Sequence, residues 1–361
     1  MAEILLTAAT VLVWLVAVLI VLVTVIPLWD TNAWWVRVMD FPRLQIAVAG
    51  AVVFLAALLL LSGASRLLVP AAMLVAVGYQ LWRIFTYTTF APVEVQLAPV
   101  DPNTVRILSA NVLMENTRHD LVRDAIAAYD PDILLLMETD QVWVDALEPA
   151  LGRYPTVLRE PIDNHYGMVF ATRLDVRDAR FLRLTKGDTP SVFAELDAAD
   201  GTRFRFVGLH PEPPVPGQST KERDAQILYA ARFAARSGMP MVVTGDFNDV
   251  AWSDTSQLFK HVGQYVDPRI GRGFFASFDA NSQVLRFPID QFYVTPDIAV
   301  VSIERLAYTG SDHFPMAGAI RLDAELAARL NKTPPPLSPD EQKEVDESVA
   351  RTREVLGHSI P

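Results

Sequence analysis

The chain has 361 residues, no cysteine and a formal net charge of -11 at pH 7. The length accommodates one large domain or two small ones with extra segments, and the lack of cysteine rules out disulfides while fitting an exported or a cytosolic domain equally. The acidity is a poor electrostatic footprint for tight, non-specific binding to a nucleic acid backbone, unless part of it belongs to metal ligands that a cation would neutralise.

In chain order, Ile4 to Ile26 carries no charge and is long enough to cross a bilayer as a helix. Leu44 to Leu61 and Leu67 to Leu81 repeat the pattern, with Gln45 and Gln80 as strong polar interruptions, and Ser62 to Arg66 is the expected turn of a helical hairpin. Trp29, Trp34, Trp35 and Trp82 stand at segment ends, where amphipathic rings prefer the headgroup level. The first segment lacks a basic n-region and a small-residue cleavage site, so it reads as an anchor and not as a cleaved signal peptide. Residues 1–85 are therefore expected to form a three-span, multi-pass membrane region. Three spans put the N-terminus and the C-terminal domain on opposite sides. Arg37, Arg43 and Arg83 against Arg66 lean towards a cytoplasmic domain, but Asp30 and Asp40 share the first loop and the side stays open.

Residues 86–104 are polar, proline-dotted and without helical period, as expected of an extended linker. Residues 105–323 read as one α/β or α+β domain. Its strand-like runs are "VRILSAN", "DILLLME", "GMVFATR", "SVFAELD", "RFRFVGLH", "MPMVVTGD", "PIDQFYVT" and "MAGAIRL". Helical periodicity shows at Asp120 to Tyr129 and Lys221 to Arg236. Many strands with few helices imply two packed sheets with helices outside. Residues 324–361 read as a proline-rich spacer and a charged helix. Ser338 is its expected N-cap, Pro339 its first position, Glu341 its capping-box partner and Gly357 its stop.

Several runs end in residue types used in metal-assisted phosphate chemistry: Asn111, Glu138, His210, Asp246 with Asn248, Asp290, and the adjacent Asp312 and His313. Strand ends place rigid side chains around a shared rim although the residues are far apart in sequence. Magnesium or manganese takes hard oxygen ligands, and Glu138 and Asp312 are the candidates. Phosphodiester hydrolysis also needs a base for water and donors for charge on the non-bridging oxygens. Asp246, or a histidine held by Asp290, fits the first role; Asn111, Asn248 and His210 fit the second.

The motif order "SANVL", "LLMETD", "HYGMVFATR", "GLHPEPP", "VVTGDFND", "FPIDQFYVT" and "GSDHFP" resembles the endonuclease/exonuclease/phosphatase superfamily, over roughly Thr104 to Leu322. That group includes deoxyribonuclease I, abasic-site endonucleases, bacterial sphingomyelinases and inositol polyphosphate 5-phosphatases. The resemblance implies a four-layered α/β/β/α sandwich and a Mg²⁺-dependent (or Mn²⁺-dependent) phosphoesterase. It matches Asn111 and Glu138 to the metal side, with Asp312 as a further metal-site aspartate. It matches His210 to a phosphate contact and Asp246 with Asn248 to the "GDFN" pair. His313 matches the catalytic histidine, oriented by Asp290, with Asp246 as the alternative base. The opening of an abasic-site endonuclease and lysine-rich DNA-binding loops are not evident. Three preceding spans look more like the membrane-anchored bacterial branch, in an inner membrane. The expected substrate is a phosphodiester or phosphomonoester of a phospholipid or lipid-linked phosphate in the bilayer. The alternatives are a nuclease at the membrane and a degenerate binding module; no protein partner is inferable.

Overall fold

The computed structural model describes residues 1–184, 189–343 and 346–347. Three helices are long and apolar enough to cross a membrane: α1 (Ala2–Val25), α3 (Arg43–Leu60) and α4 (Ser65–Ile84), with the single-turn α2 (Trp34–Arg37) between the first two. Val13, Ala17 and Ile20 of α1 pack on Val53 and Ala57 of α3 and on Val69, Met73 and Ala76 of α4. Small residues let the backbones approach; a Cβ on Gly50 would lie 2.7 Å from Val77 Cγ2. The outer faces leave Leu12, Leu19, Val52, Leu59, Leu68 and Leu74 exposed, apolar surface of an extent that water-soluble monomers rarely carry.

The two polar interruptions have structural partners. Gln80 accepts from Arg43 Nη1 at 2.9 Å and donates to Thr24 Oγ1 at 3.0 Å, and Arg43 also pairs with Asp40, so one buried network joins all three helices. Gln45 donates to the carbonyl of Val284 in the following domain at 2.6 Å. Helix α4 runs beyond Leu81 because Arg83, where hydropathy falls, pairs with Asp254 at 2.7 Å and donates to the Trp252 carbonyl at 2.9 Å.

The domain's elements follow in chain order: β1 (Val105–Asn111), α5 (His119–Tyr129), β2 (Ile133–Met137), α6 (Gln141–Leu151), β3 (Thr156–Glu160), β4 (Met168–Thr172), β5 (Asp175–Arg183), β6 (Pro190–Asp197), β7 (Arg203–Leu209), α7 (Lys221–Ser237), β8 (Met241–Asp246), α8 (Asp254–Val262), β9 (Asp290–Val294), β10 (Ala299–Arg305), β11 (Met316–Arg321) and α9 (Ala324–Leu330). Six strands form one sheet in the order β10-β11-β1-β2-β4-β3, and five form the other in the order β5-β6-β7-β8-β9. In β2, Ile133, Leu135 and Met137 face the inter-sheet core with Phe206, Val242 and Phe292, whereas Leu134 and Leu136 face Trp143 and Leu147 of α6. Ile227 and Ala230 of α7 and Phe259 of α8 cover the outside of the second sheet. The result is the four-layered α/β/β/α sandwich, and coverage on both faces explains why its central strands are unbroken apolar runs.

All eight strand-like runs form strands, and both periodic segments form helices. The strands not read from sequence, β3, β5 and β10, are all sheet edges, whose exposed charged positions blur the alternation. Residues 86–104 begin in a 3₁₀ turn, Phe85–Tyr87, run on mostly without regular structure, and are pinned to the domain. Tyr87 and Val95 are fully buried, Gln96 and Ala98 donate backbone bonds to Leu330 and Val300, and Glu94 pairs with Lys260 at 2.6 Å. Ser338 and Glu341 exchange the reciprocal bonds of a capping box, at 2.8 and 3.3 Å. Gly357 lies outside the described residues.

Candidate active site

Both sheets contain one parallel strand pair, β1 with β2 and β7 with β8. Parallel strands end at the same edge, so Asn111 closes β1 beside Glu138 just past β2, and His210 follows β7 beside Asp246 at the end of β8. The carboxyl ends of parallel strands are the usual place for a ligand cleft in open α/β sheets. Asp290 is the direct cross-strand partner of Asp246, and the turn that leads into β11 delivers Asp312 and His313. Glu138 takes a left-handed backbone, φ 61°, and Asn248 likewise, φ 49°; both leave a strand end abruptly there. At Gly245, φ 137°, a Cβ would stand 2.0 Å from the Leu209 carbonyl oxygen, so only glycine lets β8 deliver Asp246 beside β7.

His313 is buried, and its Nδ1 lies 2.7 Å from Asp290 Oδ2, while its Nε2 faces Asp246 Oδ2 at 3.5 Å. Burial alone would lower the imidazole's pKa, but the carboxylates of Asp290 and Asp246 outweigh it and raise it to about 10. Burial pushes Asp246 up to about 7, against the pull of His313. His210 Nε2 lies 3.8 Å from Asp246 Oδ2, and its buried Nδ1 has no hydrogen-bond partner among the described residues. Burial lowers this histidine to about 4 and keeps it neutral.

The six-stranded sheet contributes the other wall. Asn111 Nδ2 donates to Glu138 Oε1 at 2.7 Å and to Asp246 Oδ2 at 3.1 Å, bridging the two sheets, while its Oδ1 accepts from the Leu113 amide at 3.1 Å. In this arrangement Asn111 orients two carboxylates through its amide nitrogen, while its Oδ1 carries a single hydrogen bond. Asn248 bonds the Pro211 carbonyl at 2.9 Å, and its amide donates to Asp246 Oδ1 at 2.9 Å. Asp312 is partly buried, which raises its pKa, and its one described side-chain bond is a 3.4 Å contact from Ser311 Oγ.

Two residues join the site without having been read from the sequence as members. His165, in the loop before β4, lies 3.2 Å from both Glu138 Oε2 and Glu115 Oε1. The Tyr166 ring packs 5.5 Å from that of His210, and burial followed by the charges of Glu212, Glu138 and Asp246 pushes its phenol up to about 12. Their only sequence signal is a position just before β4 at the cleft end of the sheet.

The donor set fits a hard divalent cation. Glu138, Asp246, Asp290 and Asp312 converge, and among the described residues no lysine or arginine pairs with any of them; histidines alone face this negative charge. One donor atom each of Asp246, Asp290 and His313 lies within 4.8 Å of the others, but Asp290 and His313 already bond each other. Glu138, bonded by Asn111 and His165 but partly open to the cleft, and Asp312, with its weak single bond, are the carboxylates with lone pairs left for a cation.

A family model described as "Endonuclease/Exonuclease/phosphatase family" matches residues 108–313, more than half of the chain and every site residue named above. The chain belongs to the endonuclease/exonuclease/phosphatase family. Its members are typically hydrolytic phosphoesterases that use divalent metals. Among solved structures, TDP2 of D. rerio in complex with a single-strand DNA product is similar, with TM-score 0.51 at 16% identity, covering 61% of this chain and 100% of that one. An endonuclease/exonuclease/phosphatase from Bacteroides vulgatus matches with TM-score 0.50 at 20% identity, covering 61% and 99%. At these identities the likeness is one of fold. Comparison with curated proteins gives no match.

Proposed function

We propose that this family member is a membrane-anchored, Mg²⁺- or Mn²⁺-dependent phosphoesterase that hydrolyses a phosphoester of a lipid or lipid-linked phosphate at the bilayer surface. The observation that carries the reading is the position of the cleft: the loops that border it are the loops that dock on the apolar helices. After His210, Thr220 and Asp224 bond to Asn32 in the loop between α1 and α3. After Asn248, Trp252 Nε1 donates to the Asp40 carbonyl at 2.7 Å and Asp254 pairs with Arg83. Before Asp290, Phe287 packs edge-on to Phe41, and Val284 accepts from Gln45. These contacts support a reading in which a phosphate at headgroup level beside the helices would reach the site, and tethering would raise the effective concentration of that encounter.

Glu138 and Asp312 would hold the cation, which when bound polarises a phosphoryl oxygen and offsets the charge that develops on it. Asp290 fixes the ring of His313 so that Nε2 points across the cleft at Asp246, and this pair takes the proton of the attacking water. As the phosphorus–oxygen ester bond breaks, the same pair returns a proton to the leaving alkoxide. His210, kept neutral, and Asn248 face the non-bridging oxygens as donors, and Asn111 steadies Glu138.

The test uses the full chain in detergent with phospholipid vesicles and with plasmid, each with and without EDTA. Cation-dependent release of lipid headgroup or phosphate is the expected result. Nicked plasmid with inert vesicles would replace the lipid reading by that of a membrane-tethered nuclease. Binding of Mn²⁺ without turnover of bis-p-nitrophenyl phosphate, lipid or nucleic acid would leave a binding module.

A further inference from the structure

Immediately after His313, the ring of Phe314 carries two guanidinium groups, Arg286 at 5.1 Å and Arg305 at 4.3 Å from its centroid. Cation–π contact holds such groups in place without neutralising them. Their hydrogen bonds go to neutral carbonyls. Arg305 donates to Ala276 at 2.6 Å, and Arg286 to Ser282 and Ala280. Among the described residues neither forms an ion pair, whereas Arg83, Arg223 and Arg269 each pair with an aspartate. In a chain of net charge -11 this is an unusual place to leave two like charges together. Burial, and then the neighbouring charge of Arg286, pull Arg305 below its ordinary value.

The segment that carries Arg286 links the site to the membrane helices. At one end the Ala280 amide donates to the Asp312 carbonyl at 2.6 Å, and Phe278 forms backbone bridges to His313 and Phe287. At the other, Val284 accepts from Gln45 in the first turn of α3. Val284 and Leu285 are 69% and 53% exposed on that side. Tyr308, ring to ring with Phe314 at 6.2 Å, closes the patch by donating to Asn281 at 3.0 Å.

We propose that Arg286 and Arg305, mounted on Phe314, form an anion subsite that takes a phosphate group of a membrane lipid, so that the substrate carries an anionic group beyond the ester that is cleaved. Guanidinium groups match phosphate oxygens with charge-assisted bonds, and the apolar tip beside α3 suits the glycerol and upper acyl region of the same molecule. For the cleavage itself, this inference rests on the function proposed above.

Binding is measured on the full chain in non-ionic detergent with EDTA, as the shift of the thermal unfolding midpoint with probe concentration. The probes are short-chain phosphatidate, short-chain phosphatidylcholine, inorganic phosphate and a single-stranded oligonucleotide. Phosphatidate is expected to bind more tightly than phosphatidylcholine. R286Q/R305Q should weaken phosphatidate by at least about tenfold, the loss expected for charge-assisted bonds, and R286K/R305K should recover part of it. Inorganic phosphate that behaves as phosphatidate supports a subsite for phosphate itself; phosphatidate alone supports one that also reads the lipid. If R286Q/R305Q melts early without probe, R305Q alone is read, with a loss of at least about threefold. No binding, equal affinity in wild type and variants, or oligonucleotide binding that the variants abolish while phosphatidate does not bind would each overturn the assignment. Since neither metal nor turnover enters, variant-sensitive anion binding in a protein without hydrolytic activity removes the proposed reaction and leaves the subsite standing. Hydrolysis without such binding does the reverse.

Discussion

Replacing His210 by asparagine should remove a block of acid sensitivity from the fold. The imidazole is 2% exposed, its Nδ1 has no partner among the described residues, and burial holds it at about 4 against an ordinary 6.5. Between those values the unfolded chain binds a proton that the folded chain refuses. The contribution to stability is therefore complete above the unfolded value and is lost as pH falls towards the folded one. The gap is worth about 3 kcal/mol when fully developed, of which about 2 kcal/mol is lost between about pH 7.5 and about pH 5. For a domain of this size that corresponds to a midpoint shift of about 4–8 °C. Thermal melts of wild type and His210→Asn, both in EDTA at the two pH values, isolate the term, because Asp246, Asp249 and other groups titrate in both proteins. Any packing cost of asparagine enters as an offset common to both pH values. A wild-type-minus-variant difference that stays constant across the two pH values would refute the reasoning.

Asp290→Asn keeps the shape beside His313 but removes the charge at 2.7 Å. We expect kcat on bis-p-nitrophenyl phosphate to fall at least about 10²-fold with KM little changed, and His313→Ala and Asp246→Ala to fall as far. Wild-type rates in any of them would remove its assigned role. Chelation should abolish turnover, and Glu138→Gln or Asp312→Asn should raise the Mn²⁺ concentration for half-maximal rate by at least about tenfold, read by metal titration. In the helical bundle, Asp40→Ala leaves Arg43 buried beside Gln80 without its carboxylate, at a cost of about 3–5 kcal/mol. A melt of the solubilised chain that does not drop would show that the network carries no stability. A methyl on Gly318 would meet the Phe292 ring at 2.6 Å, so Gly318→Ala should destabilise by about 1–3 kcal/mol in the same melt.

The central strands were legible because both faces are covered: "ILLLM" is apolar throughout, and so is most of "MVVTG". Edge strands carry one solvated margin, and β5, "DVRDARFLR", shows a surface pattern more than a strand pattern. Helix α6 contains Trp143, Val144, Leu147 and Leu151 on one face, but Pro149 interrupts a segment of only eleven residues. The residue types of the site could be read from strand ends, because one edge of two parallel pairs collects whatever closes each strand. Atom-level roles could not. Nothing in "SAN" says that the Asn111 amide nitrogen faces Glu138, and nothing in "NHYG" says that His165 reaches the same carboxylate. The docking of residues 86–104 depends on single contacts such as Tyr87 with Ala251, which have no period for a sequence to display.

The bonds at the heart of the cleft are also the stitches of a seam between the two sheets. Asn111 to Asp246 and His313 to Asp290 each start in one sheet and end in the other. The spacing on which the proposed proton transfer depends is therefore gauged by the thickness of the oily filling between the layers, set by side chains such as Phe170 and Phe206, whose rings meet at 5.5 Å. A void opened deep in that filling would be felt first at its mouth, as slack in these cross-sheet contacts, while the layers themselves still hold together.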